Sequence, residues 1–149
     1  MEYIEVQNLD AVIVWYIRVS MAMTISLLSF LILPKNQIVY SCIVLPIVGI
    51  WIFIELIRLT VSITPDKISF QYRPLSSRSF ERSEVRHAEV IDYGFVGGYG
   101  IRKTKKYGTI YNTSGSKGIK LTLKSGEILV IGIQDVPNAK VAVDRFLEL

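Results

Sequence analysis

Residues 11–58 read AVIVWYIRVSMAMTISLLSFLIL, then PKNQ, then IVYSCIVLPIVGIWIFIELIR, two apolar runs on either side of a four-residue polar break. The hydrocarbon core of a bilayer is about 30 Å thick and a helix rises about 1.5 Å per residue, so a crossing needs roughly 20 predominantly apolar residues. Ala11–Leu33 and Ile38–Ile57 both reach that length. Lipid offers backbone N–H and C=O groups no partner, which makes a helix the form each run must take. The stretch predicts a transmembrane helical hairpin at 11–58, with a short segment at 1–10 before it and a domain at 59–149 after it.

Working outward, the first ten residues, MEYIEVQNLD, are acidic, and no small-residue cleavage site follows the first run, which argues against a removable signal peptide. Cys42 is the single cysteine of the 149 residues and lies inside the second run, where a lone thiol is a packing residue. Lys and Arg are enriched on the cytoplasmic side of membrane proteins. Arg18, Arg58 and Lys67 lie on the side of the termini, against Lys35 alone in the turn, so both termini are expected in the cytoplasm. From residue 60 onward fourteen Lys or Arg stand against nine Asp or Glu, a net charge of +5 that suits a domain beside an anionic leaflet.

Arg18 and Glu55 interrupt the apolar runs. A hairpin turning between Lys35 and Asn36 sets Arg18 level with residue 53, and Glu55 lies only about 3 Å from that level. An isolated charge is costly in hydrocarbon, so the two either pair across the helices or reach headgroup water independently. Trp15, Tyr16 and Trp51 sit near the same depth and read as interfacial anchors.

Beyond Arg58 the apolar period changes from helical to two. Leu59, Val61 and Ile63 predict one strand, and Ile68, Phe70 and Tyr72 a second, with Pro65-Asp66 turning between them. Arg78–Glu81 and Arg86–Tyr93 read as weaker strands separated by a turn at 82–85. Residues 94–118, GFVGGYGIRKTKKYGTIYNTSGSKG, hold seven glycines and one strand at about Tyr107–Thr113. Ile119, Leu121 and Leu123 alternate, Ser125-Gly126 turns, and Ile128–Ile133 returns as the most apolar and most deeply buried strand. Asp135 can cap a final helix with Pro137 in its first turn, and Val136, Ala139, Val143, Phe146 and Leu147 would share its apolar face. About seven antiparallel strands thus end in one amphipathic helix.

That order resembles the pleckstrin-homology-like fold, a bent antiparallel sheet plugged at one end by a C-terminal helix. Residues 58–147 resemble the small bacterial membrane proteins that carry such a domain after two membrane helices. The resemblance rests on Gly97-Gly98-Tyr99-Gly100-Ile101-Arg102, on Ile110-Tyr111-Asn112-Thr113-Ser114-Gly115 with Lys117-Gly118-Ile119, and on Ile131-Gly132-Ile133-Gln134. Relatives commonly have Thr where Ile133 stands. The resemblance implies a bacterial inner-membrane protein and brings no reaction with it.

Enzymatic constellations are mostly absent from the sequence, and a hydrolase or transferase would need catalytic groups from another chain. His87 lies in an expected strand with no Cys, His or carboxylate at metal spacing. Gly98-Tyr99-Gly100 lacks the third glycine and the strand–turn–helix unit of a dinucleotide fingerprint, and Gly115-Ser116-Lys117-Gly118 lacks the first glycine of a phosphate loop. One feature stands out: Arg102, Lys103, Lys105 and Lys106, followed by Tyr107, come directly after a glycine cluster. Glycines let backbone approach a ligand, and four cations in five positions focus a positive potential. Tyr99, Arg102, Lys103, Lys105, Lys106, Tyr107 and Lys117 are therefore candidate contacts for an anionic ligand or lipid headgroups, the alternative being a solvated basic loop. Nucleic acid fits less well, since the charge excess is modest and no extended basic face is evident. The expectation is a non-enzymatic, membrane-anchored recognition or scaffolding module whose partners are membrane lipids and a protein partner or second copy. The rival is an accessory subunit of a larger membrane complex.

Overall fold

The alternation in Leu59, Val61 and Ile63 continues in space. In the computed structural model, which describes residues 2–32 and 36–148, these three are fully buried on strand β2 (Arg58–Ile63). Ahead of β2 come β1 (Tyr3–Asn8) and helices α1 (Ala11–Leu31) and α2 (Gln37–Glu55). After it come β3 (Lys67–Arg73), β4 (Ser76–Glu81), β5 (Val85–Asp92), β6 (Gly100–Thr104), β7 (Gly108–Asn112), β8 (Lys117–Leu123), β9 (Ile128–Gly132) and α3 (Val136–Glu148). The chain divides into two compact units, one formed by residues 9–57 and the other by the residues up to Asn8 together with those from Arg58 onward.

The first unit is the helical pair. Both helices are long and apolar enough to cross a membrane, at about 31 and 28 Å by the helical rise. Asp10 and Asn36 cap their N-termini, each side chain accepting from two backbone N–H groups. Hydroxyls along the helices are satisfied internally: Ser20 donates to the Ile17 carbonyl, Thr24 to Ser20, Ser29 to Ile25 and Ser41 to Gln37. The Ser29 and Tyr40 hydroxyls, 2.8 Å apart, join the two helices. Lys35, on which the expected turn was centred, lies outside the described residues.

The second unit has nine described strands in two sheets, rather than one sheet of about seven. One sheet runs β1-β2-β3-β4 and the other β5-β8-β9-β7-β6. Three differences from the expected domain matter. Residues 3–8 are an edge strand of this unit, so the domain does not begin at residue 59; Asn8 opposes Arg58, and the helices are interposed between two paired strands. The 94–118 stretch holds two strands, β6 as well as β7. Finally, β7 runs parallel to β9, so the second sheet is not purely antiparallel.

The inner faces of both sheets supply the core. Ile68, Phe70 and Tyr72 of β3 are buried, and Phe70 and Tyr72 meet Tyr111 of β7, whose ring centroid lies 4.5 Å from that of Phe70. On β9 Leu129, Val130 and Ile131 are completely buried. Helix α3 closes one end through Ala139, Val143 and Phe146, while Leu147, expected on the same face, is exposed. Asp135 caps it, with Oδ1 accepting from the Asn138 N–H at 3.3 Å. Gly108 permits the close approach of β7 to β9: its φ is +65°, and a Cβ there would lie 1.9 Å from the Ile128 carbonyl oxygen.

Candidate functional site

The basic residues after the glycine cluster fold into a β-hairpin. Arg102 and Lys103 lie on β6, the edge strand of the five-stranded sheet, and Lys105 and Lys106 form its turn into β7. All four are exposed. Cations on an edge strand also serve the fold, because they discourage pairing with another chain's strand. Residues directly opposite one another in a sheet share a face. Arg102 opposes Ile110, Ile110 opposes Val130, and Val130 opposes Lys120, so Arg102 lies on the outer face, away from the core. Lys103 falls on the other face with Ile101, which opposes the core residue Tyr111. The compact focus of four charges expected from the sequence is thus divided between two faces and a turn.

A small apolar cluster covers that outer face. Tyr93, Ile110 and Val130 form its centre, and Ile91, Val96 and Tyr107 pack against it. Gly118 leaves room for the Tyr93 ring: a Cβ would sit 2.7 Å from the Ile131 carbonyl oxygen and 3.0 Å from that ring. Lys106 folds back so that Nζ lies 4.8 Å from the centroid of Tyr107, a cation–π contact. Lys120 Nζ is 2.8 Å from Glu89 Oε1, and this bond holds the Glu89 carboxyl below its usual range. Tyr99 and Lys117 lie at the opposite end of the sheet from the Lys105–Lys106 turn, Lys117 beside Asp92 and Tyr99 just before the start of β6. The seven candidate contacts do not make one pocket.

In the helical pair, Arg18 Nε and Nη2 each lie 2.7 Å from a carboxylate oxygen of Glu55, a bidentate contact between α1 and α2. Trp51 Nε1 donates to the same carboxylate at 3.1 Å. The two charged side chains remain 52% and 37% exposed.

A second polar constellation, centred on β1, was not anticipated from the sequence. Glu5 accepts hydrogen bonds from the Tyr3 hydroxyl, from Gln7 Nε2 at 2.7 Å and from the Gln134 backbone N–H at 2.7 Å. Gln7 is buried; its Nε2 also donates to the Gly132 carbonyl at 3.0 Å, and its Oε1 accepts from Thr113 Oγ1 at 3.1 Å. Asn112 Nδ2 donates to the Tyr93 hydroxyl, while Asn112 Oδ1 accepts from the Gly100 N–H. Gln134 Nε2 donates to Ser114 Oγ. The three motifs that carry the family resemblance therefore converge, and two of them bind the N-terminal strand. Among the described residues every buried side-chain nitrogen or oxygen has a partner. Burial and the neighbouring Glu5 push the Tyr3 hydroxyl well above its ordinary pKa. Chemically the network is a clasp between sheets, each of its groups already engaged. The signal available in sequence was the polar alternation Tyr3, Glu5, Gln7.

Beside β1 lies an open groove of about 280 Å³ lined by Tyr3, Ile4, Asp135, Asn138, Val141 and Arg145, between the strand and α3. Among the described residues no three His, Cys, Asp or Glu side chains converge as a metal site would require. Compared with known proteins, the chain matches no protein-family model, no curated protein and no solved structure.

Proposed function

We propose that the chain is a non-enzymatic, inner-membrane-anchored recognition or scaffolding module that presents a pleckstrin-homology-like domain on the cytoplasmic side to anionic lipid. The observation that carries this reading is a run from Tyr93 to Gly126 with seven Lys or Arg and no Asp or Glu, in a protein with two helices able to cross a bilayer. Four of the seven cations are exposed on the β6–β7 hairpin. Two sheets closed at one end by α3 support the fold assignment, and the extra strands β1 and β6 are departures from the seven-strand plan. Each Lys or Arg near an anionic leaflet is worth about 1 kcal/mol, so the hairpin can contribute a few kcal/mol at low salt.

The test uses the full chain in nanodiscs of phosphatidylcholine with or without phosphatidylglycerol. Acylation of the hairpin lysines, read by mass spectrometry, should slow in the anionic discs at low salt, and equal rates would exclude the lipid reading. For orientation, in a Cys42→Ala background a cysteine at Asn36 should react with a membrane-impermeant thiol reagent in intact cells, and one at Ser125 should not. The half-exposed Arg18–Glu55 pair favours a second reading, an accessory subunit whose helices pack into a larger complex. A reproducible heteromeric partner after mild detergent purification would select it.

A further inference from the structure

Phe95 is 88% exposed, the most exposed of the large apolar side chains in the β-rich unit. Its placement is built into the loop that joins β5 to β6. The Gly94 N–H donates to Asp92 Oδ1 at 3.0 Å, Gly94 takes a φ of +69°, and the next side chain but one, Val96, packs inward on the Tyr93–Ile110–Val130 cluster. With Val96 anchored, Phe95 projects away from the sheet. The same cluster seats Tyr107, over which Lys106 folds, and Arg102 shares its face, with Nη2 lying 3.1 Å from where a Gly98 Cβ would be. An aromatic ring held out on a face that also carries Arg102 and Lys106, and whose one carboxylate, Glu89, is paired with Lys120, has the chemistry of an interfacial anchor: apolar surface for the acyl boundary and positive charge for the headgroups. We propose that the outer face of the five-stranded sheet inserts the Phe95 ring into an anionic lipid surface while Arg102 and Lys106 engage the headgroups. This rests on the lipid reading above and adds to it a component that salt does not screen, since burial of apolar area is independent of the Debye length.

The full chain with Cys42→Ala and Phe95→Cys, labelled with an environment-sensitive nitrobenzoxadiazole group, is placed in phosphatidylcholine nanodiscs with and without phosphatidylglycerol. Nitroxide-bearing lipid should quench the label at least several-fold more in anionic discs than a label at Ser125, and the quenching should survive 0.5 M salt. Independently of the label, Phe95→Ser should abolish the salt-resistant part of the lysine protection while leaving the low-salt part. Lysine protection without quenching at position 95 overturns the insertion and leaves the electrostatic reading standing. Loss of both overturns both. Quenching that requires a protein partner rather than phosphatidylglycerol overturns the lipid as occupant.

Discussion

Asn8 and Arg58 face one another across an antiparallel strand pair, although both apolar helices lie between them in the chain. The domain is therefore assembled from two pieces of sequence. The β-rich unit taken alone as residues 58–148 should lack a cooperative thermal transition or melt well below a version in which residues 2–8 are joined to Arg58 by a short flexible linker. Circular dichroism on the two proteins decides it; equal melting would mean that β1 is dispensable. Within the intact chain, Gln7→Ala should destabilise by about 1–3 kcal/mol, because the Gly132 carbonyl and the Thr113 hydroxyl lose a buried partner.

The contact between Arg18 and Glu55 should show non-additivity. Removing one charge leaves the other unpaired among apolar side chains, so Arg18→Leu or Glu55→Leu alone should lower thermal stability in detergent more than the two together. A double-mutant cycle with simple additivity would mean that each side chain reaches water on its own.

Glycine positions should separate sharply. Gly108→Ala sets a methyl against the Ile128 carbonyl in a left-handed backbone and should cost about 2 kcal/mol or more. Gly115→Ala shares the left-handed φ but meets nothing within 4 Å, and about 1 kcal/mol is expected. Chemical denaturation of the two variants gives the ranking.

Alkaline pH should destabilise the β-rich unit. Burial raises the hydroxyl pKa of Tyr3, Tyr72 and Tyr93 above the ordinary value of 10.0. The folded state then holds its protons more tightly than the unfolded chain, so the stabilisation is fully present below pH 10 and declines as pH rises above it. Tyr3→Phe should be less stable at neutral pH, having lost the bond to Glu5, and its stability should fall less steeply between pH 9 and pH 11 than that of the parent. An identical slope would remove Tyr3 as a contributor.

The helices were legible because each is a run of about twenty apolar residues, long enough to cross a bilayer, and the matching levels of Arg18 and Glu55 could be counted from the rise per residue. β2, β3 and β8 announced themselves through apolar residues at every second position. β1 inverts the pattern, for Glu5 and Gln7 point into the clasp while Ile4 and Val6 are 60% and 59% exposed. Gln7 reaches Gly132 and Thr113, and Glu5 the Gln134 N–H, all far along the chain, a relationship that no local window contains. β6 was hidden for a related reason: as an edge strand it carries Arg102 and Lys103 on opposite faces and has no apolar alternation to read. The parallel partnership of β7 with β9 depends on strand order, which periodicity does not encode. Of the candidate contacts, their charge was visible and their division between two faces was not.

The pairing of Asn8 with Arg58 also orders events during synthesis. β1 is made before α1, α2 and β2, and it has no strand partner until β2 follows them. If α1 entered a bilayer and α2 failed to return, Arg58 would be stranded on the far side from Asn8, and neither the strand pair nor the Gln7 clasp could form. Were the two helices to cross a bilayer, closure of the sheet would therefore require both crossings, and a chain that made only one would be left with an open strand edge on β1.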